Sequence, residues 1–185
     1  MRRKDREMNK EFAFEIIDKS AYGIVSMVAR DSQPYAIPLS IVREKETLYF
    51  HSAKEGKKVD IFVSVPNVVI TFVGQVKVPD IFSLEELEIM ATDGQKAKLL
   101  INHTFTTEYE SAIVSGKIKL VDNEVEKTQA LRLICEKYTP DKMAYFPLAI
   151  EASLNRTNVY KVLINEFSAK RKKYDTNGEE MKWGR

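Results

Sequence analysis

The sequence predicts a mainly β protein with flanking helices, a mixed and mainly antiparallel barrel of about six strands. Three observations carry that expectation. Between Tyr22 and His51, three short strand-forming runs are joined by connections too tight for anything but antiparallel neighbours. Both faces of these runs are apolar, with Ile24 and Val28 on one and Val25 and Met27 on the other. A sheet of that kind needs cover on both sides, as in a closed or nearly closed barrel. Three or four stretches with helical periodicity interrupt the rest of the chain.

Taken in order, NKEFAFEIIDKS (9–20) reads as a helix, because Ala13, Ile16, Ile17 and Ser20 share one face. Strands follow over 22–29, 35–42 and 47–51, separated by the turn Arg30-Asp31-Ser32-Gln33 and the reversal Glu44-Lys45. A short helix over 56–64 ends before Pro66, and VVITFVGQV (68–76) is a fourth strand. Ser83 with Glu86 forms a capping box, which starts a helix inside an excursion spanning 80–107. YESAIVSGKIKLV (109–121) is a long strand carrying Ala112, Val114, Ile118 and Leu120 on one face. Asn123 and Glu126 open a helix with Leu131, Ile134, Cys135 and Tyr138 on one stripe. Helix is expected over 142–154 and a last strand over 158–167, followed by a loose polar tail over 168–185.

The composition is that of one globular domain: 185 residues, 44% apolar and 30% charged. The net charge of +2 advertises neither nucleic acid nor an acidic membrane as partner. The basic run Lys170–Lys173, with Tyr174 and Trp183 nearby, reads as a solvated tail, so nucleic acid is not expected. A single cysteine, Cys135, forms no internal disulfide and suits a reducing cytoplasm. No apolar run approaches the ~20 residues of a membrane span, and MRRKDRE has no signal-type apolar stretch behind it. The expectation is a soluble cytoplasmic protein.

The stretch YFHSAKEGKK (49–58) holds the densest chemistry. Ser52 and Ala53 end a strand with small side chains that let a ligand approach the backbone. Gly56 supplies a turn conformation closed to other residues. Lys57 and Lys58 then occupy the first turn of the next helix, where positive charge opposes the helix dipole. A bound anion resolves that conflict, and a phosphate monoester is the natural one. Two solvated surface lysines are the plainer account, and no P-loop spacing of glycines is present. His51 at the strand end is either a structural residue or a proton relay. With His103 the only other histidine, a histidine-type metal site is not expected. No G-x-S-x-G elbow is present, and Cys135 sits in an apolar helix stripe. Pro38 interrupts the second strand and belongs at an edge or a bulge, against which a flat ligand could lie.

Four stretches carry a resemblance: MRRKDRE, PYAIPLS (34–40), YFHSAKEGKK and YESAIVSGK (109–117). Together they resemble the pyridoxamine 5′-phosphate oxidase-like flavoproteins, in particular the nitroimidazole-resistance, nitroimidazole-reductase-like branch. The resemblance covers about residues 1–167 and implies a six-stranded antiparallel split β-barrel with flavin mononucleotide (FMN) at the interface of a homodimer. It implies that Pro38, Leu39 and Ser40 line the flavin ring, that His51, Ser52 and Ala53 pass beside ring and ribityl chain, and that Lys57 and Lys58 hold the phosphate. Ser111 matches the serine of a Tyr-x-Ser motif that reaches the cofactor, and His51 is the candidate catalytic residue. At the middle of that motif the family commonly has arginine where this chain has Glu110, which puts substrate identity in doubt.

The resulting expectation is an FMN-dependent oxidoreductase that reduces a small planar or electron-poor substrate. The alternative keeps the fold without catalysis, as a flavin- or haem-binding or sensing protein. True pyridoxamine phosphate oxidation is not expected, because Arg132 and Arg156 are isolated and form no second phosphate pocket.

Overall fold

The computed structural model describes residues 2–175 and 178–183, apart from the side chains at 95, 97–99 and 102. A 3-10 turn (Lys4–Arg6) and the two-residue strand β1 (Glu7–Met8) precede α1 (Lys10–Lys19). The Asn9 side chain caps α1 by accepting from the Phe12 amide at 3.0 Å. The predicted apolar stripe is the one that is buried: Ala13, Ile16 and Ile17 are fully or almost fully enclosed. Then come β2 (Gly23–Val28), β3 (Pro34–Leu39), β4 (Val42–Glu44), β5 (Thr47–Ala53), α2 (Lys57–Ser64) and β6 (Asn67–Lys77). The 80–107 excursion is a helical pair, α3 (Leu84–Thr92) and α4 (Gly94–Thr104), which pack on each other. The Ser83–Glu86 capping box is formed, with both reciprocal bonds present. The long strand β7 (Glu108–Leu120), α5 (Glu124–Tyr138), α6 (Phe146–Ser153) and β8 (Thr157–Lys172) complete the chain.

Among the described residues the strands form one antiparallel sheet of eight members, in the order β3-β2-β6-β7-β8-β5-β4, with β1 pairing the far end of β8. This corrects the expected six strands and the expected closure, since β3 and β4 remain edges and do not pair with each other. One extra strand arises because the run 35–42 breaks at Ser40-Ile41. Ile41 and Val42 are both buried, at 0% and 4% exposure, which the alternation of one flat strand does not allow. The other extra strand is β1, too short to show a periodicity.

The last strand also runs five residues past its expected end at Phe167. Beyond it the described residues 173–175 and 178–183 are held rather than loose. Tyr174 bridges to Glu180, and the Met181 and Trp183 amides donate to the Lys173 and Asp5 carbonyls at 2.9 and 3.0 Å. The Glu180 carboxylate takes both Arg6 Nε and Nη2, at 2.6 and 2.9 Å. Sequence polarity concealed this because the tail is fastened by backbone pairing and charge, not by apolar burial.

Two cores result. Inside the curled sheet, Val25, Leu48, Phe50, Ile70, Phe72, Val114 and Val162 pack under α1 and against Phe62 of α2. Outside it, α5 and α6 cover Tyr49 and Val159 through Ala130, Leu131, Ile134 and Phe146. The outer face of β3-β2-β6-β7 and the far half of β8 has no such cover among the described elements. Its register row Pro38–Ile24–Thr71–Ile113–Ser168 crosses five strands, and nearby Val28, Val69 and Val73 are 42–50% exposed. None of the described helices is long and apolar enough to cross a membrane.

Candidate functional site

β5 buries Leu48, Phe50 and Ser52 on its inner face and Tyr49 under α5 and α6 on its outer one, while His51 and Ala53 are exposed. The Ser52 hydroxyl donates to the Ala53 carbonyl at 2.7 Å, which fixes the strand end. Gly56 then adopts φ +115°, and a Cβ there would meet nothing within 4 Å, so a ligand can approach the backbone. It is also the N-cap of α2 and makes no side-chain capping bond. The Lys57 and Lys58 amides, in the first turn, therefore lack an intrahelical acceptor and point out of the helix end. Neither ammonium has an ion-pair partner among the described residues. Lys57 Nζ lies 5.0 Å from the centre of the Tyr35 ring, which ties α2 to β3.

The His51 imidazole is open to solvent in area yet crowded by surrounding protein. Desolvation first, and the Lys58 charge second, lower its pKa below the ordinary histidine value. It is therefore neutral at pH 7, able to accept a proton at one ring nitrogen and donate at the other.

Pro38 sits on the edge strand, opposite Ile24, in an unbroken register; the bulge considered as an alternative is absent. Tyr22, Ile24, Pro38, Leu39 and Ser40 line a hollow of about 500 Å³. Two α5 side chains that sequence reasoning assigned no site role hold the break that follows. Tyr138 Oη accepts from the Ile41 amide at 2.9 Å and donates to the Ile41 carbonyl at 3.0 Å. Lys137 Nζ reaches the same carbonyl at 3.0 Å and that of Ile17 at 3.2 Å. Nothing in the sequence pattern signals this clamp, since Tyr138 also fits the apolar stripe.

The next residue, Val42, pairs with Tyr49, so the clamp sets how β3 leads into the strand beside β5. Lys57 thus touches β3 through Tyr35, and β4 leads from the end of β3 to β5, while the hollow beside Pro38 is lined by no residue of β5 or α2. Ser111 stands apart. It lies on the uncovered outer face, opposite Val73 and Lys170, three strands from β3 and so roughly 14 Å across the sheet. Glu110 occupies the opposite face of β7, beneath α1, 3.1 Å from Arg171 Nε. Its charge is answered inside this chain and does not face the row that carries Ser111.

The sequence profile of the family described as pyridoxamine 5′-phosphate oxidase matches residues 9–80 and 85–171. The chain belongs to the pyridoxamine 5′-phosphate oxidase family. Among curated proteins no sequence relative is found. Solved structures with the fold of this oxidase family include a candidate 5-nitroimidazole antibiotic resistance protein from Bacteroides thetaiotaomicron, 24% identical, with TM-score 0.67 over 89% of this chain and 86% of that one. An FAD and heme binding protein from Mycobacterium smegmatis is 16% identical, with TM-score 0.68 over 98% and 84%. An FAD-binding protein from Mesorhizobium loti is 17% identical, with TM-score 0.58 over 90% and 96%. Family membership accounts for the curled sheet. The region around Gly56 and the two lysines remains a feature of this chain's own residues.

Proposed function

We propose that the protein is an FMN-dependent oxidoreductase that works as a homodimer and reduces a small planar or electron-poor substrate. The observation that carries this reading is the uncapped α2 N-terminus, where an open glycine is followed by two first-turn lysines that have no ion pair among the described residues. Those residues suit a phosphate monoester. Lys57 and Lys58 would hold the phosphate, Ser52 and Ala53 would let the ribityl chain pass, and Pro38, Leu39 and Ser40 would support the ring edge. A bound flavin supplies the electron chemistry. The chain's own part is to neutralise the phosphate, exclude water at the apolar hollow beside Pro38, and hold a proton-exchanging imidazole at His51.

The dimer reading draws on the uncovered outer face, whose half-exposed Val28, Val69, Val73 and Ile113 need a partner. A second copy seated there would also bring a Ser111 toward the flavin region. Heat release of the cofactor followed by mass measurement tests the reading: FMN supports it, and FAD or no flavin counts against it. A non-catalytic flavin- or haem-binding role is the second reading. It draws on the fold shared with the Mycobacterium smegmatis FAD and heme binding protein and on a neutral, exposed imidazole at His51. A Soret band on adding haemin, lost in His51→Ala, would favour it.

A further inference from the structure

His103 has no part in the flavin reading. It lies in the last turn of α4, with its ring centre 5.0 Å from that of Tyr174 and edge-on to Phe82 at 6.2 Å. The residue is half-buried, and its Nδ1 is enclosed with no hydrogen-bond partner among the described residues. The hydroxyl of the next residue, Thr104, is in the same state. Native interiors leave few polar groups unpaired, because each costs its desolvation free energy. Two at consecutive positions mark a hydrogen-bond set that is incomplete.

Beside His103 opens a hollow of about 680 Å³, within the size range of small-molecule sites. Four stretches far apart in the chain wall it: the N-terminal turn, the end of α4, the end of β8 and the C-terminal segment. It is thus a walled cleft and not part of the bare outer face of the sheet. Its cations are Arg3, Arg6, Lys172 and Lys182. Arg3 pairs with Asp5 at 2.6 Å, Arg6 with Glu180 at 2.6 Å, and Lys182 with both carboxylates at 2.9 Å. Lys172 has no carboxylate within ion-pair distance among the described residues and donates to the neutral Thr106 hydroxyl. These four cations stand against Asp5, Glu179 and Glu180, so one positive charge is left over. Lys172 Nζ also lies 5.4 Å from the Tyr174 ring that His103 packs on, so the spare charge and the orphan nitrogen flank one side chain. The rim is apolar, with Phe105 78% exposed. One surplus charge beside an apolar rim selects a monoanion with an apolar body over a phosphate dianion.

We infer that this cleft binds a small aromatic carboxylic acid. Its carboxylate takes Lys172 Nζ, the Thr106 hydroxyl and an imidazole N–H of His103, and its ring lies against Phe105. A rotation of the imidazole about its own axis brings Nδ1 to the carboxylate and ends its unpaired burial. The site is separate from Gly56–Lys58 and does not depend on the flavin reading.

The test is a residue-resolved amide NMR titration of the full chain at low ionic strength, with benzoate, acetate, benzyl alcohol and inorganic phosphate as probes. Benzoate should give saturable shifts at His103, Thr106, Lys172 and Tyr174. Acetate and benzyl alcohol each lack one half of the ligand and should bind about tenfold or more weakly. Lys172→Met should weaken benzoate about tenfold or more, through loss of a charged hydrogen bond. His103→Phe keeps the ring packing and should weaken it by a smaller factor. Lys57→Met/Lys58→Met should leave it unchanged. The fluorescence of Trp183, which stacks on Arg171, checks that each variant keeps its C-terminal segment in place. No saturable response to benzoate overturns the inference, as does benzoate binding that Lys172→Met leaves intact. Phosphate binding as tight as that of benzoate overturns it too, since the cleft would then be a plain anion site. Shifts abolished by the Lys57/Lys58 double variant would move the acid to the α2 turn and overturn it as well.

Discussion

Tyr138 and Ile41 are joined twice: one phenol oxygen accepts the Ile41 amide hydrogen at 2.9 Å and returns its own proton to the Ile41 carbonyl at 3.0 Å. At the strand break the Ile41 amide would otherwise be unpaired in a part-buried place, whereas the carbonyl also accepts from Lys137 Nζ at 3.0 Å. The clamp therefore keeps Ile41 in the core while its neighbours Pro38 to Ser40 stay open at the sheet edge. Tyr138→Phe removes both bonds, at a cost of roughly 1–3 kcal/mol. Urea denaturation should show that loss. If the clamp also positions the ring edge of the flavin, the variant's bound-flavin absorption should shift in wavelength as well. Stability loss with an unshifted spectrum confines the clamp to a structural role.

His51 titrates below an ordinary histidine because of desolvation and Lys58. The folded state thus binds the proton less strongly than the unfolded chain. The contribution of His51 to stability is intact above the unfolded value of ~6.5 and declines as the pH falls below it. Lys58→Met should raise the His51 pKa, and so should FMN, whose phosphate offsets the Lys58 charge. Both shifts can be read from the imidazole proton resonances. A pKa unmoved by either change would separate His51 from the lysine pair.

The tail offers an acid-sensitive latch. The Arg6 hydrogen bond, opposed by some burial and helped by Lys182, lowers Glu180 from its ordinary 4.5 to about 2. Glu180 accordingly stabilises the fold above the ordinary value, and that stability is lost as the pH falls through about 2. Trp183, the one tryptophan, stacks under Arg171 at 4.8 Å and reports on the latch. Its fluorescence should change along that acid window, and Glu180→Gln should make the signal independent of pH there. A transition centred at the ordinary carboxylate value would mean that Arg6 does not hold Glu180 in solution.

Gly116 lies where β8 shifts register against β7, between Ser115 and Gly116. A Cβ at that position would come within 2.3 Å of the Leu163 carbonyl oxygen. Gly116→Ala should therefore destabilise the protein by roughly 1–3 kcal/mol through forced backbone movement. Thermal melting checks this, and an unchanged Tm would contradict the close approach of the two strands.

Much of the fold was legible because its signals are local. The α1 stripe Ala13-Ile16-Ile17, the Ser83–Glu86 box and the alternation of β5 and β7 each depend on residues within a few positions of one another. What escaped was set by distant partners. β4 exists because Val42 meets Tyr49, the C-terminal segment is ordered by Arg6 and Asp5, and β1 is defined by pairing with Ala169 and Lys170. At the site, the dipole conflict of Lys57 and Lys58 is written in the sequence, and so is the freedom of Gly56. The Tyr138 clamp is not, nor is the outward turn of Lys170. In the sequence Lys170 is one member of a basic run. On an extended strand, alternation turns it outward beside Ser111 while Arg171 turns inward to Glu110.

The central claim is that the Gly56–Lys58 turn holds the phosphate of a flavin. The most direct measurement is the visible absorption spectrum of the purified protein after loading with FMN and desalting, for wild type and for Lys57→Ala/Lys58→Ala. Flavin bands retained by the wild type and absent from a folded double variant are the predicted result. A folded wild type that retains no flavin, or a double variant that retains it undiminished, would contradict the claim.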